Sequence, residues 1–120
     1  MYTSKIWVII LPRLLLIDSF TILHSVLDEL DKRLNILNVR LRNRPPTEVV
    51  QAELFCTIEE LVLHIKKIKN NYIRYAAIKQ IDLIKKCVVS MDGDEAKREV
   101  KLLKNLFEAY DLYAYLHPNE

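Results

Sequence analysis

Between residues 16 and 41, apolar side chains recur at Leu16, Phe20, Leu23, Leu27, Leu30, Leu34, Leu37 and Leu41, in alternating steps of four and three. A strand alternates every second residue, whereas this spacing keeps one helical face towards a neighbour. The pattern predicts a first helix with a narrow, coiled-coil-like seam. Pro12 suits its first turn and biases Leu11 towards an extended shape. The helix is expected to end around Arg42–Asn43, before Pro45 and Pro46.

Thr47 is the expected N-cap of a second helix, with Glu48 in its first turn. Val50, Leu54, Ile58, Leu61, Ile65 and Ile68 form its apolar stripe. Continued in register, that stripe reaches Lys79, but the apolar positions that follow are Ile73, Ala77, Ile81, Ile84, Val88 and Met91. The change of phase favours a turn or kink at Asn70–Asn71 over one uninterrupted helix. Asp92-Gly93-Asp94 is the clearest turn, and either Asp92 with Glu95 three residues on, or Asp94 alone, is the expected cap of the last helix. The last helix carries two adjacent stripes. One holds Val100, Leu103, Phe107, Tyr110 and Ala114; the other holds Leu102, Leu106, Ala109, Tyr113 and Leu116. A stripe that wide implies two neighbours, or one neighbour and a partner chain. Pro118 closes the helix.

Helices joined by short connections pack as antiparallel neighbours. The fold class expected is therefore all-α: an antiparallel up-and-down bundle of four helices, or three long ones if the second and third are continuous. The chain of 120 residues reads as one domain over residues 1–120, with residues 1–11 as a possible apolar N-terminal arm. Composition agrees, with 51% hydrophobic and 28% charged residues and a single glycine, Gly93. Tight hairpins and phosphate-cradling loops rely on glycine, so all-β, Rossmann and P-loop architectures are disfavoured.

Cys56 and Cys87 each lie within an apolar helical run and read as buried free thiols, packed as small hydrophobes. The apolar run Ile6–Leu11 stops at Pro12 and Arg13, too short to span a membrane, and it lacks a small-residue cleavage site. These features set the expectation of a soluble cytoplasmic protein with no membrane partner.

Net charge is only +2, yet residues 61–104 hold 11 Lys/Arg against 5 Asp/Glu. Lysines on the solvated faces of amphipathic helices account for such an excess. The same excess also fits an electrostatic footprint for nucleic acid or an acidic partner. Lys66, Lys67, Lys69, Tyr72, Arg74 and Tyr75 crowd the Asn70–Asn71 turn. An up-and-down bundle returns Tyr110, Tyr113 and Tyr115 to that same pole. Cations beside aromatic faces suit single-stranded nucleic acid, whereas tyrosines at bundle ends often bury the ring and leave the hydroxyl wet. At the opposite pole, Arg40, Arg42 and Arg44 are accounted for by the helix dipole, though three arginines also fit phosphate or carboxylate.

Catalytic signatures are missing: there is no HExxH, Gly-x-Ser-x-Gly, Walker sequence or paired-cysteine zinc spacing. His24 with Asp28 and Glu60 with His64 make the one metal-like constellation that can be drawn, roughly level across the first helical hairpin. Ordinary salt bridging or solvation is the favoured account of it, and no cofactor is expected. Surplus apolar residues, including Leu15 and Ile17, point instead to an interface. The sequence thus predicts a non-catalytic interaction module (an adaptor, accessory subunit or inhibitor-type protein) that docks on a protein partner and forms a homo-oligomer. Ile6, Trp7, Ile9, Ile22 and Ile36 are its candidate oligomer surface. The alternative is a nucleic-acid-binding accessory protein using the Lys66–Tyr75 pole.

Overall fold

The computed structural model describes residues 21–39 and 44–117. These residues form an all-α bundle. Helix α1 covers residues 21–33 and tightens into a 3-10 turn over Leu34–Asn38; α2 is Thr47–Ile65, α3 is Asn71–Val89 and α4 is Gly93–Leu116. The second and third helices are separate, as the phase change at Asn70–Asn71 indicated. Pro12, Leu16, Phe20, Leu41 and Pro118 lie outside the described residues, as does the apolar arm.

Each neighbouring pair of helices runs antiparallel, and polar side chains record the register. Arg33 of α1 donates to Thr57 of α2 at 2.9 Å. Lys85 of α3 meets Glu59 of α2 at 3.0 Å, and one helix turn or more away Gln51 donates to the Val89 carbonyl at 3.2 Å. Gln80 of α3 donates to the Glu99 carbonyl of α4 at 2.9 Å. The ring closes where α4 returns to α1: Lys104 pairs with Asp28 at 2.8 Å, and Asp111 with His24 at 3.2 Å.

Inside this ring lie the stripes read from the sequence. Leu23, Leu27, Leu30, Leu34 and Leu37 of the first seam are buried, as are all six stripe residues from Val50 to Ile68. Ala77, Ile81, Ile84 and Val88 of α3 and Val100, Leu103 and Phe107 of α4 complete the core. Thr57 is the only buried polar side chain among the described residues, and its hydroxyl donates to the Glu53 carbonyl while accepting from Arg33. A buried hydroxyl satisfied on both counts avoids the desolvation cost of an orphaned one.

Several boundaries differ from expectation, each for a local reason. The first helix loses α-helical geometry at residue 34, well before Arg42–Asn43, and Val39 is already extended. Leu34 and Leu37 stay in the seam because a step of three also suits a 3-10 turn. Asn35 and Asn38 are weak helix formers, and their run explains the early exit. Thr47 is the first residue of α2, not its cap; Pro46 occupies the cap position, and its carbonyl accepts from Val49 and Val50. Asn70, by contrast, caps the start of α3, accepting from the Ile73 N–H at 3.0 Å.

The α3–α4 turn uses its residues unexpectedly. Met91, not glycine, takes the left-handed conformation, at φ 57°. Its N–H bonds the Val88 carbonyl and that of Asp92 bonds the Cys87 carbonyl, the pattern of a Schellman stop. Asp92 then caps α4 by accepting from the Glu95 N–H at 3.1 Å. Gly93 serves close approach: a Cβ there would stand 2.5 Å from Asn38 Oδ1 and 3.0 Å from Leu37 Cβ.

Candidate interaction surfaces

The α2–α3 turn is built to hold its basic residues in place. Ile68 is buried and anchors the turn to the core. Arg74 reaches back from α3, donating to the Ile68 carbonyl at 2.8 Å and to Asn71 Oδ1. Arg74 is therefore committed to the turn itself, whereas Lys66, Lys67 and Lys69 project into solvent. Tyr72 and Tyr75 are 78% and 62% exposed, so neither ring is packed into the end of the bundle. Lys79 Nζ lies 4.8 Å from the centre of the Tyr75 ring, a cation–π distance.

Antiparallel pairing brings the end of α4 towards this pole. From the Gln80–Glu99 contact, stepping back along α3 and forward along α4 places Tyr110 about level with Lys69. Tyr110 packs partly against the core, while Tyr113 and Tyr115 are exposed, and Tyr113 stacks on His117 with ring centres 4.4 Å apart. Helix α4 is longer than α3, 24 residues against 19, so its last two turns extend beyond the α2–α3 turn.

The second stripe of α4 forms a separate surface. Leu102, Leu112 and Leu116 are 55%, 60% and 62% exposed, Ala109 is exposed too, and Leu106 is half-buried. Gln80 fixes which way this band looks. It bonds Glu99 on the flank of α4 that touches α3, whereas Lys104 and Asp111 occupy the flank that touches α1. By helical rotation the exposed band lies beside the α3 flank, facing outward.

Other candidate residues are placed differently. Ile22 is 45% exposed, but Ile36 packs against the core and so is not surplus; Ile6, Trp7 and Ile9 lie outside the described residues. Arg40 and Arg42 also lie outside them, and Arg44 is half-buried. The level His24–Asp28 and Glu60–His64 pairs are not brought together. His24 and Asp28 turn to α4, where Asp111 and Lys104 engage them and the His24 and Phe107 rings meet at right angles, while Glu60 faces solvent. No cluster of three metal-ligating side chains occurs among the described residues.

Cys87 is buried, as expected of a thiol packed as a small hydrophobe, but Cys56 is exposed. The Cys56 reading fails because α2 is apolar beyond its inward stripe: Val49 and Leu63 also reach solvent, so an apolar neighbourhood in sequence did not mean an inward position. Burial pushes the Cys87 thiol above its ordinary pKa, and the carboxylates of Glu95, Glu99 and Asp92 add to the effect.

Sequence reasoning left Lys79, Lys86 and Leu112 out of these surfaces. Lys79 follows Tyr72 by seven residues and Tyr75 by four, and Leu112 precedes Leu116 by four, so helical spacing held the signal. No helix among the described residues is long and apolar enough to cross a membrane. Comparison with known proteins finds no family model, curated protein or solved structure that matches the chain.

Proposed function

We propose that this chain is a non-catalytic helical interaction module that self-associates through the outer face of α4. The observation that carries this reading is the exposed band itself. Leu102, Ala109 and Leu116 recur every seven residues, with Leu106 and Leu112 beside them, on a helix whose opposite face is already buried. A helix that is apolar on two sides needs a neighbour on both. A seven-residue repeat fits another helix of the same repeat, so the simplest partner is α4 of a second copy.

Two-fold pairing sets α4 antiparallel to its copy, and it is the commonest symmetry of homodimers. One helix pair of this length covers on the order of 1,000 Å² in total, the lower edge of specific interfaces, so a micromolar dissociation constant is expected. The unpaired thiols agree with a reducing, cytoplasmic setting.

Sedimentation equilibrium over a concentration range reaching several hundred micromolar tests the proposal. Wild type should pass from monomer to dimer. The variant Leu102→Glu/Leu112→Glu should remain monomeric with an unchanged thermal midpoint, because both side chains are solvent-exposed in the single chain. A wild type that stays monomeric throughout, or a variant that dimerises equally well, would overturn the reading.

A further inference from the structure

Residues 61–81 contain five Lys/Arg and no Asp or Glu, an uninterrupted positive stretch spanning the end of α2, the turn and most of α3. The fold spreads this charge along one ridge. Tyr72, Tyr75, Lys79 and Lys86 follow one another at steps of three, four and seven, so they share the solvent side of α3. The fourteen steps from Tyr72 to Lys86 rise about 21 Å. Lys66, Lys67 and Lys69 stand at the near end of this ridge, on a turn fixed by the Asn70 cap, the Arg74 bridges and buried Ile68.

The ridge keeps a positive excess, although Asp82, three residues after Lys79 and four before Lys86, lies on it as well. Among the described residues, Lys66, Lys67, Lys69, Lys79 and Lys86 form no ion pair. Two of the neighbouring carboxylates are engaged elsewhere: Glu59 binds Lys85, and Asp111 binds His24 on the α1 flank of α4. Asp82 is the one acid within α3. The tyrosines point the same way. Rings serving only to close a bundle end would be buried, yet Tyr72 is 78% and Tyr75 62% exposed, one helical turn apart.

We infer that this ridge is a binding surface for single-stranded nucleic acid, distinct from the α4 face and independent of it. The lysines neutralise the phosphates of about four nucleotides, and Tyr72 and Tyr75 offer faces on which bases stack. Exposed π faces beside fixed cations suit unstacked bases better than a duplex, whose bases are already stacked on one another. Because stacking and phosphate attraction do not read base edges, binding is tolerant of sequence.

Fluorescence anisotropy of the full chain with labelled twelve-nucleotide oligo(rU) and oligo(dT) provides the test. With four phosphates neutralised, affinity should fall roughly fiftyfold between 50 and 200 mM salt. Lys66→Gln/Lys67→Gln/Lys69→Gln should lower the salt slope by about two. Tyr72→Ala/Tyr75→Ala should weaken binding by about tenfold or more and leave the slope unchanged. All five positions are exposed, so circular dichroism should show intact helices in both variants, and Leu102→Glu/Leu112→Glu should bind like wild type. Lack of saturable binding at 50 mM salt would overturn the inference. So would tyrosine variants that bind like wild type, which would mark a generic polyanion surface. Binding to phosphatidylserine vesicles with none to either oligonucleotide would likewise assign the ridge to a membrane surface instead.

Discussion

Cys56 and Cys87 are chemically identical residues that the fold makes unlike. Cys56 sits on the solvent side of α2, while Cys87 is enclosed next to the α3–α4 turn, with Asp92, Glu95 and Glu99 raising the cost of its thiolate. Thiolate is the reactive form, so both enclosure and the raised pKa protect Cys87. A disulfide-exchange reagent such as Ellman's should titrate one thiol per chain at pH 7.5 and release the second only after denaturation. Equal native reaction rates for both thiols would contradict the burial of Cys87. Arg74 shows the same dependence on setting. It belongs by sequence to the basic cluster, but its guanidinium is spent on the Ile68 carbonyl and Asn71. A cation within reach of a backbone carbonyl at a turn is drawn to it, and charge counting along the chain does not reveal this.

At the level of elements, the contact between the 3-10 turn and the start of α4 depends on Gly93. Alanine there favours the helix by up to about 1 kcal/mol through propensity. Forcing a methyl against Leu37 and Asn38 costs about 1–3 kcal/mol. Steric cost should win, so Gly93→Ala is expected to lower the denaturation midpoint, and adding Asn38→Ala should recover part of the loss. A single variant at least as stable as wild type would show that the two segments yield easily. Element identities were legible because apolar periodicity is written directly in residue order. The inward stripes of α2, α3 and α4 emerged from spacing alone, whereas residue type offered both Asp92 and Asp94 as caps of α4, and the backbone chose Asp92. Less legible was the early end of the first helix, since steps of three and four do not separate an α-helix from a 3-10 turn. The cap at Pro46 was missed because a carbonyl, common to every residue, does the work there. For the surfaces, sequence named the turn lysines and tyrosines but not the ridge through Lys79 and Lys86, although its helical spacing stood in the residue order.

For the whole molecule, closure of the ring between α1 and α4 is the feature that pH reports. Asp28 accepts a hydrogen bond from Lys104 and raises its pKa above the ordinary value near 10.4, with Asp31 and Glu108 adding to the shift. The folded pKa exceeds the unfolded one, so the stabilisation is complete below the unfolded value and is lost as pH rises through the folded value. Lys104 and Asp28 are 28% and 62% exposed, so solvent screening holds the contribution below about 1 kcal/mol. Lys104→Met should accordingly be slightly less stable than wild type at pH 7 to 9, with the gap shrinking above pH 10.5. Urea midpoints of both proteins across that range provide the measurement, and a gap that persists undiminished to pH 11 would exclude the ion pair as its source.

That closure also bears on the order in which the chain assembles. Successive helices find one another through contacts close in sequence, α1 and α2 included, where Arg33 and Thr57 are 24 residues apart. His24 and Asp111, in contrast, are 87 residues apart. Loop-closure entropy grows with the length of chain to be closed, and local contacts therefore form ahead of distant ones. Successive pairs thus assemble first, and the seam between α1 and α4 is the last surface to be covered.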